Sequence, residues 1–117
     1  MEADLASRWK LLERQLEERF GKAMTVESLL FLIGIRELGI RPRPFTKEEK
    51  TDLMHIAVCR LLSQAGYYQL SHRDQEGWPH WKLIKALPHT DMLSQQMLLR
   101  EHILTYFDEE GVFEEES

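Results

Sequence analysis

The sequence predicts a mainly α, α+β fold: four helices in a single domain, with a β-hairpin inserted between the third and fourth helices. Three observations predict it. Apolar residues recur at spacings of three and four over most of the chain. Between residues 67 and 87 that period gives way to an aromatic-rich stretch split by the turn sequence "DQEG". Glycine and capping residues punctuate the helical stretches where ends are needed. Residues 1–108 are expected to form this domain, with the hairpin at 67–87, and residues 109–117 an acidic, mobile tail.

The first helix is expected over residues 3–20, where Leu5, Trp9, Leu12, Leu16 and Phe20 form a narrow apolar stripe among charged residues. Gly21 suits a left-handed cap directly after it. A second helix starts behind Thr25, with Glu27 in its first turn. It carries Leu29, Leu30, Phe31, Leu32, Ile33, Ile35 and Leu38. Being apolar nearly all round, it should be central, or covered by a second subunit. Gly34 interrupts it at a cost of about 1 kcal/mol relative to alanine, and a close helix crossing would account for that glycine.

"IRPRPF", residues 40–45, reads as a stiff connector, because Pro42 and Pro44 fix two φ angles and push Arg41 and Arg43 into extended backbone. Thr46 with Glu49 three residues later is a capping box. It opens a third helix from Lys47 to about Ala65, before Gly66. The apolar arc of this helix centres on Met54, Val58, Leu61 and Ala65, which puts Glu48, Asp52, His55, Cys59 and Ser63 on the opposite side. "YYQLSHR" and "WPHWKLIKAL" then read as the two hairpin strands, with Pro79 at an edge or at a strand start. After Pro88, Thr90 caps a last helix, with Asp91 in its first turn and a broad apolar face running to Phe107.

Composition narrows the function classes. A single cysteine, Cys59, cannot make an internal disulfide. The start "MEADLASRWK" lacks the apolar segment of a signal peptide. The longest apolar run, "LLFLIGI", is far short of the roughly 20 residues a membrane span requires. We therefore expect a cytoplasmic protein that does not enter a membrane. The net charge of −5 is uneven: residues 36–85 hold nine basic and six acidic groups, and residues 86–117 one basic and eight acidic. A dedicated nucleic-acid binder shows a larger basic excess than the middle segment offers.

The chain holds no glycine-rich phosphate loop, nucleophile elbow or His-Glu-x-x-His motif. One metal-type constellation remains, since Asp52, His55 and Cys59 recur at helical spacing and bring carboxylate, imidazole and thiolate to one side of the third helix. The plainer account is a solvent-facing polar pair beside a small semi-buried thiol. It is the account we adopt, with no cofactor and no metal expected.

"EGWPHWKL", residues 76–83, packs two tryptophans, a proline and a histidine into four positions. The expectation is a structural corner first and a binding surface second. On a regular strand Trp78 and Trp81 face opposite sides, which leaves one exposed beside Tyr67 or Tyr68. Exposed aromatics of this kind belong to interface cores. His80 is expected to be a surface hydrogen-bonding group.

Helix, helix and hairpin over residues 25–87 together resemble, generically, the winged-helix pattern of a recognition helix followed by a wing. That resemblance implies nucleic-acid contacts, for which Arg41, Arg43, Lys47 and Lys50 are the basic candidates. The outward side of the third helix, with Glu48 and Asp52, offers carboxylates where phosphate contacts want cations. The run "GYYQL…EGWPHWKLIKALP" also resembles small bacterial proteins of uncharacterised function, and that resemblance carries no activity and no functional residues.

The sequence therefore leads us to expect a small cytoplasmic protein-interaction module without catalytic activity. It is expected to be a homodimer through the second helix, at Phe31, or through the hairpin aromatics Tyr67, Tyr68, Trp78 and Trp81. The alternatives are a winged-helix-like nucleic-acid-binding or transcription accessory protein, and, third, a metal-assisted enzyme using Asp52, His55 and Cys59.

Overall fold

The computed structural model describes residues 4–39, 41, 43–87 and 92–110, with the backbone alone at 92–94. Its elements follow the order α1 (Leu5–Phe20), α2 (Val26–Leu38), α3 (Lys47–Ser63), β1 (Tyr68–Arg73), β2 (Pro79–Leu83) and α4 (Met92–Glu110). This is the expected mainly helical α+β fold, four helices with an antiparallel hairpin between the third and fourth. None of the described helices is long and apolar enough to cross a membrane. The chain folds as two compact units, one made of 1–25 with 90–117, the other of 26–89.

In the first unit, α1 starts at Leu5, the first residue of its apolar stripe and two residues later than the expected range, because Asp4 acts as the cap. The Asp4 side chain accepts from the Ser7 amide at 2.8 Å. Gly21 ends the helix in the left-handed conformation, at φ 77°, and donates to the Glu17 carbonyl. Trp9, Leu12 and Leu16 of α1 are buried, as are Ile103, Leu104, Tyr106 and Phe107 of α4. Arg8 reaches Asp108 at 3.3 Å, and the Arg100 guanidinium lies over the Trp9 ring at 5.3 Å, both between α1 and α4. Glu109 and Glu110, expected in the tail, are the last turn of α4. The expected cap Thr90 and first-turn Asp91, together with Pro42, Pro88 and the acidic segment 111–117, lie outside the described residues.

In the second unit, α2 packs on α3, and α3 also carries the hairpin. Gly34 is where α2 and α3 meet most closely: a methyl group there would run into the backbone carbonyl of Leu53. The glycine thus exchanges helix propensity for a close crossing. Around it Leu29, Leu30, Ile33 and Leu38 of α2 are buried, with Leu53, Ile56, Ala57, Leu61 and Leu62 of α3. An ion pair between Arg60 and Glu37, at 3.4 Å and largely screened from solvent, ties the two helices together.

The capping box is formed as its residues predict. Thr46 Oγ1 accepts from the Glu49 amide at 3.1 Å, and Glu49 Oε1 accepts from the Thr46 amide at 2.9 Å. At its other end α3 stops at Ser63, two residues before the expected limit. There a chain of turn hydrogen bonds through Gln64 and Gly66 takes over. Its orientation also differs from the expected arc: Met54 and Val58 are only half-buried, whereas Cys59, placed on the solvent side by the sequence, is fully buried. A helix covered by one neighbour has one apolar arc. This one lies against both α2 and the hairpin, so two of its sides are covered.

The strands are shorter than the 67–87 expected of the hairpin. β1 and β2 pair Tyr68 with Leu83, Gln69 with Lys82 and Leu70 with Trp81. The register then shifts between Leu70 and His72, so that His72 pairs with His80 and Arg73 with Pro79. Ser71 is the extra residue of this bulge. Beyond β2, the Ile84 amide still donates to the Tyr67 carbonyl at 2.9 Å. Lys85 then folds back, its Nζ donating to the Ala65 carbonyl at 2.9 Å and lying 4.2 Å from the centre of the Tyr67 ring. Arg73 latches the hairpin to α2 by donating to the Glu37 carbonyl at 3.0 Å.

Candidate functional site

A concave feature of the second unit lies between the first half of α3 and the tip of the hairpin. Asp74 builds that tip. Its Oδ1 accepts from the amides of Glu76 and Trp78 at 2.9 and 3.0 Å. Its own amide donates to the Trp78 carbonyl, and its carbonyl accepts from Gly77, which sits at φ 90°. The second oxygen, Oδ2, lies 3.0 Å from His80 Nε2. The His80 contact, followed by the backbone bond to Trp78, holds the Asp74 carboxyl below its ordinary range. His80 also stacks on His72, with ring centres 4.6 Å apart and planes 3° from parallel.

Across from the tip, α3 presents Glu49, Asp52, His55 and Ile56. Together with Asp74, Glu76, Trp78, Pro79 and His80 they enclose a cavity of about 450 Å³. Its wall therefore combines four carboxylates and two imidazoles with an indole, a proline ring and an isoleucine. Two of the carboxylates already have partners. Glu49 is bound by Arg43 at 2.9 Å as well as by the cap. The Arg43 hydrogen bond, then the Thr46 backbone, lowers its pKa to about 2. Asp74 is held by its turn. Asp52 and Glu76 are exposed carboxylates in the cavity lining.

The residues singled out from the sequence are partly brought together here. Asp52 and His55 both line the cavity, and Cys59 does not. Cys59 Sγ lies 3.6 Å from His55 Nε2, inside the packing, and burial pushes its thiol up to about 11. Among the described residues no three His, Cys, Asp or Glu side chains gather closely enough to hold a metal ion.

Trp78 is half-buried in the cavity wall and precedes β2, so the opposite-face rule for a regular strand does not apply to it. Trp81, within β2, is half-buried, and its indole N–H is enclosed without an acceptor among the described residues. Tyr67 and Tyr68 are half-buried; the Tyr68 hydroxyl is raised by burial and by its neighbour Cys59. Phe31 is half-buried edge-on to Phe45, with centres 5.9 Å apart, so this α2 ring has a partner within its own chain.

The four basic candidates do not form one surface of free cations. Arg43 is committed to Glu49 and to the Pro44 carbonyl, and it lies over the Phe45 ring at 4.3 Å. Arg41, Lys47 and Lys50 are exposed.

What sequence reasoning missed is that Glu49, Asp74 and Glu76 share one wall with Asp52 and His55. The signal lies in "DQEG", where turn chemistry alone accounts for the acids. Nothing local places that turn opposite α3.

The hairpin carries a second feature. Tyr68, Leu70, Trp81 and Leu83 share one face by their register. Leu70 and Leu83 remain 43% and 49% exposed, and Ile84 and Leu87 just beyond are 51% and 42% exposed. Among the described residues β2 pairs with β1 alone, so its other edge is open. Set against protein-family models, curated proteins and solved structures, the chain shows no match.

Proposed function

We propose that this chain is a protein-interaction module, without catalysis of its own, that docks an extended, apolar and basic segment of a partner protein along the hairpin. The observation that carries this reading is the exposure of Leu70 and Leu83 on one face of the hairpin, with Ile84 and Leu87 exposed just beyond β2, beside a strand edge that is unpaired among the described residues. Large apolar side chains exposed close together on one element mark contact surfaces, and an open edge accepts an added strand through main-chain hydrogen bonds. The adjoining cavity supplies the charge preference. The exposed Asp52 and Glu76 in its lining favour a cation, and Trp78 offers an aromatic face for one.

The same carboxylates speak against the winged-helix reading, since a phosphate backbone lying between helix and wing would meet them. A single thiol, buried and raised in pKa, suits a reducing compartment, and we place the module in the cytoplasm.

The test is a titration of the full chain with a synthetic peptide alternating lysine with leucine and isoleucine, followed by tryptophan fluorescence. A control peptide carries glutamate in place of lysine. The basic peptide is expected to bind, with an affinity that falls with added salt, and Leu83→Ser is expected to weaken it about tenfold or more. Equal binding of the two peptides, or indifference to Leu83→Ser, sinks the reading.

A further inference from the structure

The docking segment just described is present in the chain itself. Residues 82–85 read Lys-Leu-Ile-Lys and lie at the base of the hairpin, whereas Asp74 and Glu76 lie at its tip. We propose that the partner is a second copy of this chain. In this pairing the open edge of β2 lies antiparallel against the same edge of the other copy, so that each basic base meets the other's acidic tip. This inference rests on the docking reading and names its occupant.

Three observations carry it. First, the charges are placed for self-complementarity. β2 is five residues long, about 13 Å at the rise of an extended strand. A two-fold axis across it exchanges tip and base, which is the condition for an isologous contact. Second, the backbone is presented correctly. The Ile84 amide points toward β1, since it donates to Tyr67. Alternation therefore turns the amides of Trp81 and Leu83 to the open edge, and puts Pro79, which has no N–H, at its end. Third, the edge is dressed with exposed apolar side chains, Leu83 and Ile84, which a second hairpin would cover.

Charge also selects the register. Centring the axis on Lys82 would set two lysines directly opposite each other, which is destabilising. Centring it on Trp81 sets Lys82 opposite His80 of the second copy and Leu83 opposite Pro79. Lys82 then lies beside the carboxylates of Asp74 and Glu76 of that copy. Lys82 is exposed and gives up no hydrogen bond or ion pair among the described residues in making this contact.

Sedimentation equilibrium of the full chain tests the proposal. It is expected to show a monomer–dimer equilibrium with a Kd on the order of 10 µM that weakens as salt is raised. Lys82→Glu and Glu76→Lys should each weaken the dimer by about tenfold or more, because each variant faces like charge on both sides of the axis. An equimolar mixture of the two variants should recover dimerisation, since both contacts are then attractive. That recovery distinguishes the contact from loss of folding.

A monomer at all concentrations overturns the proposal, as does a dimer indifferent to both variants or a mixture that fails to recover. If the monomeric chain still takes the basic peptide, only the self-pairing is overturned. If it takes neither, the docking reading falls as well.

Discussion

Cys59 and Glu49 lie ten residues apart on α3 and respond to their surroundings in opposite directions. Cys59 loses water on folding, and its thiol rises to about 11 because a buried thiolate has nothing to replace its hydration. It should therefore react slowly with a thiol reagent such as Ellman's at pH 8 in the native chain and rapidly once the chain is unfolded. Native reactivity equal to that of a free thiol would remove it from the packing.

Glu49 instead gains donors, Arg43 and the Thr46 amide, and its carboxyl drops from 4.5 to about 2. A depressed folded-state pKa means that the unfolded chain takes up the proton first. The stabilising contribution is complete above pH 4.5 and is lost as pH falls toward 2. Urea midpoints measured across that window should fall with acid, and Glu49→Gln should flatten that part of the profile. An unchanged profile would mean that the Arg43 contact does not persist in solution. The sequence identified Glu49 as a cap partner from spacing alone. The Arg43 contact depends on how the connector comes back over the helix start, and spacing does not encode that.

At the scale of elements, each helix with a local signal was readable. Thr46 with Glu49 marked the start of α3, and Gly21 marked the end of α1 with its positive φ. Capping works through residues within one turn, so sequence carries it. Gly34 shows the next step up, since a glycine inside an apolar helix suggests a crossing but does not say with what. The structure names Leu53. Gly34→Ala should accordingly cost about 2 kcal/mol net, the gain in helix propensity being outweighed by overpacking at the crossing. The shift in urea midpoint measures it, and a stabilised variant would contradict the close approach.

The hairpin was located by its turn, but its bulge at Ser71 was not. Alternation reports the faces of a strand only while the register holds, and "LSHR" gives no local sign that it slips.

At the scale of the whole molecule, the chain divides into a continuous unit, 26–89, and a discontinuous one closed by α1 and α4. Ten of the buried apolar residues belong to α2 and α3, namely Leu29, Leu30, Ile33, Leu38, Leu53, Ile56, Ala57, Cys59, Leu61 and Leu62. A fragment spanning 26–89 should therefore retain a helical circular dichroism signal and a cooperative thermal transition. A fragment with a coil spectrum would show that this unit cannot hold its structure alone.

The sequence by itself determined the class of fold, the four helices, the capping box of α3 and the glycine end of α1, the place of the hairpin and the chemistry available for a site. All of these depend on periodicity and on hydrogen bonds between near neighbours in the chain. Only the tertiary structure decided that Cys59 turns inward, that Asp74 and Glu76 face Asp52 and His55 across one cavity, and that the outer edge of β2 stays open. The first follows from covering α3 on two sides, the second from laying the hairpin tip against that helix, and the third from the lack of a further strand among the described residues. These are relations between segments far apart in sequence, which no local pattern records.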